Sequence, residues 1–190
     1  MKTFFYPKKL KYDGSQLRPL FAYENFNVQG PAIVSWVGAC DVGFDHMVDF
    51  EDKIVKATIK SDLMLHFIVE IFPADLLAAV ALQRLFATIV KTEIEKALLK
   101  KDKASRVNFV RKGDDLYFGT QKLTISIASS SSVSSQIHFA INVTNSGTPV
   151  KTCALGDWKL NAKEISQACM KSFAAEFSDI LFATQKVKPL

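Results

Sequence analysis

Lys122 is the residue whose setting most invites a chemical reading. It opens the run Lys122-Leu-Thr-Ile-Ser-Ile-Ala, where alternation puts Lys122, Thr124 and Ser126 on one face and Leu123, Ile125 and Ile127 on the other. An ammonium among small hydroxyl side chains suits an anion. It can clamp a phosphate or carboxylate and stabilise charge that develops in a transition state. The competing reading is an edge-strand lysine that discourages aggregation. Upstream, Asp114 and Asp115 follow Arg111-Lys-Gly. Adjacent strand residues point to opposite faces, so one carboxylate can hold a base or a magnesium ion while the other closes the turn at Gly113. Downstream, His138, Ala140 and Asn142 share a face and extend the polar row. Lys122, Asp115 and His138 are therefore the expected catalytic residues. Thr124, Ser126, Asn142, His66, Arg18 and Arg111 are the expected ligand-binding residues, and no metal-ligand set is assigned.

Other constellations are weaker. His66 and Glu70 lie on one strand face, but i to i+4 along a strand spans roughly 13 Å, so they do not pair directly. Asp49, Glu51 and Asp52 could gather a divalent cation, or could be a solvated turn. No HExxH, DxDxDG or His/Cys spacing points to zinc or calcium, and GxxxxGK[ST] and GxGxxG are both absent. The serines at 129–135 lack a GxSxG elbow, and Cys40 beside Asp41 reads as a buried thiol more readily than a nucleophile.

The elements that must position these residues are legible from periodicity. Leu63 to Phe72 alternates, with Leu65, Phe67, Val69 and Ile71 on one face and His66, Ile68 and Glu70 on the other. Asp115–Phe118, a turn at Gly119-Thr120, and Gln121–Ala128 read as a hairpin. Gln136 to Val143 places Ile137, Phe139, Ile141 and Val143 inward, and Ala32–Val37 reads as a further strand. One helix is expected from Pro73 to about Leu99. A second begins after the cap Asn161, with Ile165, Cys169, Phe173, Phe177 and Ile180 as its apolar stripe. These elements predict an α+β fold: a mostly antiparallel or mixed sheet, helices packed on one face, and a ligand cleft on the opposite, small and polar face.

Composition narrows the class. The chain has 190 residues, 48% hydrophobic and 23% charged, with 15 Phe, which excludes disorder and suits one domain over 1–190. A formal charge of +5 is too small to single out nucleic acid, and RNA-binding aromatic pairs are absent. No apolar run reaches membrane-span length and the start lacks signal-peptide features, so a cytoplasmic location is expected. Three widely spaced cysteines read as reduced thiols. A small-molecule ligand is the expected partner, with a second copy of the chain as a further candidate.

The segment Arg111-Lys-Gly-Asp-Asp-Leu-Tyr-Phe-Gly-Thr-Gln-Lys-Leu-Thr-Ile-Ser-Ile-Ala, then a loop and His138-Phe-Ala-Ile-Asn-Val-Thr-Asn, resembles the core of biotin and lipoate protein ligases. Asp114-Asp115 match their Asn-Asp pair, Lys122 the lysine opening the next strand, and Ile141-Asn142-Val143 the strand after the variable loop. The likeness spans about residues 63–145. Their glycine- and arginine-rich adenylate loop has no counterpart here, since Arg18, Gly30 and Gly38 are isolated. Nearly the whole chain, through Tyr12-Asp-Gly-Ser-Gln-Leu, Asp49-Phe-Glu-Asp, Leu65-His-Phe-Ile-Val-Glu and Gln83-Arg-Leu, also resembles the uncharacterised domain-of-unknown-function family 366. The resemblance implies the class II aminoacyl-tRNA synthetase and biotin ligase fold. It further implies an ATP-dependent ligase or acyltransferase acting on a small carboxylic acid, with ATP and magnesium as cofactors. Two alternatives stand beside it: a non-catalytic small-molecule or nucleotide binding module, and a metal-dependent hydrolase built on Asp49, Glu51, Asp52, His66 and Glu70.

Overall fold

A computed structural model describes residues 1–188 of the chain. Its centre is a five-stranded mixed sheet in the order β1-β2-β3-β8-β7. The strands are β1 (Lys2–Phe5), β2 (Ala32–Val42), β3 (Ile59–Ile71), β7 (Thr124–Ser130) and β8 (Ser135–Asn142). Among the described strands of this sheet only the β1–β2 pairing is parallel. A second sheet of three short strands, β4 (Val110–Lys112), β5 (Asp115–Phe118) and β6 (Gln121–Lys122), adjoins it. Among the described residues four α-helices complete the fold: α1 (Phe21–Phe26), α2 (Phe50–Ile54), α3 (Leu76–Lys101) and α4 (Ala162–Thr184).

Register explains the main core. Leu65, Phe67 and Val69 of β3 stand opposite Ile141, Phe139 and Ile137 of β8, so both apolar rows share one face. The long helices cover that face. Phe86 of α3 meets Phe67 and Phe139 edge-on at 5.1 Å each and Phe173 of α4 at 4.9 Å. Asp75 caps α3 by accepting from Ala78 N–H at 2.8 Å, so the helix starts at Leu76, three residues later than Pro73, and runs two residues past Leu99. Asn161 caps α4 as its sequence predicts, accepting from Lys163 and Glu164 N–H. Ile180, expected in the α4 stripe, is only partly buried and lies outside the main core.

The opposite face departs from expectation. It carries a second apolar core in which Tyr12, Phe21, Trp36, Met64 and Ile68 pack, supplied largely by α1 and the N-terminal segment. The expected row of small polar residues is thus covered over most of its length. Gly38 allows the covering segment to approach: a Cβ there would stand 1.8 Å from the Leu10 carbonyl oxygen, which also accepts from Trp36 Nε1 at 2.9 Å.

Two irregularities decide what reaches the remaining cleft. The expected second hairpin arm breaks at Leu123, where the chain leaves the small sheet and enters the large one. Leu123 joins the helix-side core, and the next residue, Thr124, stands opposite Ile141 on that same side. Alternation therefore restarts one residue late. Thr124 and Ser126 turn their side chains toward the helices, Ser126 still touching the cleft edge, while Ile125 and Ile127 face the cleft, the reverse of the period-2 reading. In β3, Met64 pairs with Gly38 and Ser61 with Cys40, so one extra β3 residue forms a bulge that brings both Ser61 and Met64 to the cleft face.

Candidate functional site

The cleft encloses about 380 Å³ and has two kinds of wall. Met64, Ile125, Ile127, Tyr12 and His138 line it from the large sheet and its covering segment. Asp114, Asp115 and Lys122 line it from the small sheet, and residues 46–49 with Asp52 border it from the α2 region.

Lys122 and Asp115 form an ion pair at 2.7 Å, with both side chains mostly shielded from solvent. Burial pulls the Lys122 ammonium down, but the hydrogen bond and charge of Asp115 outweigh it, so the lysine is held above its ordinary value and stays charged. Asp114 turns the other way and accepts from Gln83 Nε2 of α3 at 2.8 Å. The same amide reaches Ser126 Oγ at 2.9 Å, whose hydroxyl donates to the His138 carbonyl at 2.8 Å. Gln83 thus ties α3 to both sheets. Burial and the Asp49 charge lift the Asp52 carboxyl above its usual range, while the Lys122 charge works against them. With Asp49, four carboxylates border the cleft against Lys122 and Lys60.

The histidines form a relay. His66 Nε2 lies 3.2 Å from the Gly38 carbonyl, and His66 Nδ1 lies 3.2 Å from His138 Nε2. A carbonyl can only accept, so His66 carries its proton on Nε2 and His138 donates from Nε2. Tyr12 stacks on His138 with ring centres 3.6 Å apart. Burial drives both imidazoles toward neutrality: His66 falls to about 4, and His138 lies well below its ordinary value, with the His66 charge acting in the same direction. Both are therefore neutral hydrogen-bonding groups at physiological pH.

The residues expected from sequence separate in space. Lys122, Asp115, His138, Ser126 and Asn142 border the cleft. The Asn142 amide is committed to the carbonyls of Lys122 and Cys153, and the Ser126 hydroxyl to Gln83 and His138. Thr124 is buried, its hydroxyl accepting from Leu116 N–H at 2.8 Å, so it fastens the small sheet and does not reach the cleft. His66 lies behind His138 and does not line the cleft. Arg18 pairs with Glu24, and Arg111 donates to the Gly113 carbonyl; both are outside it. Glu70 accepts from Leu20 N–H and Ser134, and Asp49 caps α2. Among the described residues no three His, Cys, Asp or Glu side chains gather to hold a metal, which leaves the metal-dependent hydrolase without a site. Likewise, no described helix is long and apolar enough to cross a membrane. Tyr12, Ser61, Gln83, Met64, Ile125 and Ile127 escaped the sequence reading. The signal for Gln83 was its polarity within an apolar helical run; the bulge and the break at Leu123 concealed Ser61, Ile125 and Ile127.

This architecture is that of the biotin and lipoate protein ligase fold. A T. acidophilum protein provisionally assigned as a lipoate protein ligase, solved with bound lipoic acid, superposes with a TM-score of 0.59 at 13% identity, covering 94% of this chain and 87% of that one. The apo biotin protein ligase of Aquifex aeolicus gives 0.53 at 13% identity, over 94% and 70%. Within that fold the chain belongs to the domain-of-unknown-function family DUF366, whose model matches residues 1–188. An uncharacterised protein of Methanocaldococcus jannaschii is 34% identical over 100% of this chain and 86% of its own length. A protein of unknown function from Pyrococcus horikoshi has a TM-score of 0.87 at 31% identity, each chain covered completely.

Proposed function

We propose that the cleft binds a small carboxylic acid and that the chain activates it in an ATP-dependent ligase or acyl-transfer reaction. The observation that carries this reading is the Lys122–Asp115 pair, held at the junction of an apolar strand wall and an acidic rim. The apolar side chains Met64, Ile125 and Ile127 suit the body of such an acid, and Lys122 suits its carboxyl. Four carboxylates would repel a bare polyphosphate, so a nucleotide fits this rim only with its charge screened by magnesium. Asp115, which borders the cleft while Asp114 is engaged by Gln83, is the carboxylate that would share such an ion with nucleotide phosphates, since magnesium is commonly held by one or two protein carboxylates. The fold neighbours, one of them solved with lipoic acid, add support by analogy.

A non-catalytic binding module is the second reading, favoured by the Lys122 charge being already answered by Asp115. ATP–pyrophosphate exchange across a panel of small carboxylic acids separates the two. Exchange that falls by roughly 10²–10³ in Lys122→Met, with an unchanged melting profile, supports activation through one lost charge-stabilising contact. Undiminished exchange in that variant refutes the role of Lys122. Acid binding without any exchange selects the binding module.

A further inference from the structure

The large sheet ends at β1, and the outer side of that strand is open. Lys2 N–H donates to the Pro31 carbonyl at 2.9 Å and Tyr6 N–H to the Ser35 carbonyl at 2.8 Å, both toward β2. Backbone groups alternate in direction along a paired strand, so Thr3 and Phe5 turn their N–H and C=O groups away from β2. Among the described residues no strand pairs with that side. A row of unpaired backbone donors and acceptors is a template for another extended chain. A groove of about 520 Å³ runs beside this edge, between β1 and α4, and shares no lining residue with the cleft. Phe5 and the buried Met170 give it an apolar floor. Lys163, Gln167 and Lys171 form its helical wall, with the Lys163 ammonium 5.9 Å from the centre of the Phe5 ring. Among the described residues no carboxylate lines it. Lys2, Lys8 and Lys9 are exposed at the two ends of the strand and add charge of the same sign.

The spacing of the two lysines matches a strand. Lys163 and Lys171 are eight helical residues apart, about 12 Å along α4. Residues i and i+4 of an extended chain span roughly 13 Å and point to the same side. We propose that β1 is a docking edge for an extended acidic segment of a partner protein, which adds to the sheet as a further strand. Acidic side chains at i and i+4 meet Lys163 and Lys171, and an apolar side chain at i+2 rests on Phe5 and Met170. In this mode the main-chain bonds to Thr3 and Phe5 supply affinity, and the alternate side chains in the groove supply specificity. Lysines alone would suffice to blunt an edge against aggregation, but an apolar floor beside them works against that purpose. A second copy of this chain is the poorer occupant. Antiparallel pairing of β1 with its own equivalent sets each lysine cluster against another.

The test uses the full chain, 15N-labelled, and the capped peptide Ser-Glu-Thr-Val-Thr-Glu-Ser, with a second peptide in which Lys replaces both Glu. Titration of the acidic peptide to about 2 mM, enough to detect a millimolar complex, should move the Thr3 and Phe5 amide signals downfield. The lysine peptide should bind at least about fivefold more weakly, the scale expected from losing two exposed ion pairs. Joint Lys163→Glu and Lys171→Glu substitution should reverse that preference. Thr3→Pro removes an N–H that bonds nothing within the chain, so the melting temperature should hold while peptide affinity falls at least about fivefold. Stationary Thr3 and Phe5 amides, equal affinity for the two peptides, or undiminished binding to Thr3→Pro overturns the proposal. Sedimentation showing a dimer of the free chain, with these two amides protected from hydrogen exchange, also overturns it, because the edge then belongs to a second copy.

Discussion

Acid should weaken this fold well before its carboxylates titrate, because two imidazoles are buried neutral at its centre. His66 has a folded value of about 4 against an ordinary 6.5, with burial as the cause. For a depressed histidine the unfolded chain binds the proton more readily, so stability is fully present above the unfolded value and falls as pH drops toward the folded one. Between pH 7 and 5 the His66 shift alone removes about 2 kcal/mol, worked from the two proton-binding constants. His138 is displaced in the same direction and adds to the loss. The groups facing the pair are Tyr12, Trp36 and the Gly38 carbonyl, and none of them supplies a counter-charge to a proton on the relay. Urea unfolding followed by tryptophan fluorescence at pH 7, 6 and 5 should therefore show a midpoint that falls steeply with an unchanged slope. The chain has 3 histidines, so an 15N spectrum assigns each of them directly, with exposed His46 as the third signal. Both buried residues should appear as neutral Nε2–H tautomers at pH 6. A loss below about 0.5 kcal/mol between pH 7 and 5, or either buried ring found protonated at pH 6, would refute the reasoning.

Two further perturbations test the packing. Phe86→Ala removes the ring on which Phe67, Phe139 and Phe173 converge and should destabilise by about 3–5 kcal/mol in chemical denaturation. Gly38→Ala forces a methyl against the Leu10 carbonyl and should cost about 1–3 kcal/mol, with loss of the Trp36–Leu10 bond visible as a red-shifted fluorescence spectrum.

The large elements were legible because their residues obey a single period. Leu65 to Ile71 and Ile137 to Ile141 alternate without interruption, and Asn161 caps its helix as its type predicts. The ion pair at the cleft was half legible: Lys122 and Asp115 were singled out separately, but their pairing depends on the hairpin turn that sets Lys122 opposite Tyr117. The cleft-facing residues were less legible, for a physical reason. A bulge in β3 and an irregular residue at Leu123 each shift side-chain direction by one position, and a period-2 count carries the wrong phase beyond them. Nor does local sequence show that Tyr12 crosses to stack on His138, a contact between residues remote in the chain. The polar face was foreseen as open; the N-terminal segment and α1 close most of it.

The break at Leu123 has a mechanical meaning. The ion pair belongs to the small sheet, and the histidine relay and Ser61 belong to the large one, so the cleft is the gap between two plates. The chain passes directly from one plate to the other at Leu123, which is anchored in the core, and the Gln83 amide braces both plates from α3. The width of the gap is thus set by an angle at a fixed pivot with a strut across it. A substitution at Leu123 or Gln83, neither needing to touch a ligand, would retune the span between the lysine and the histidine wall.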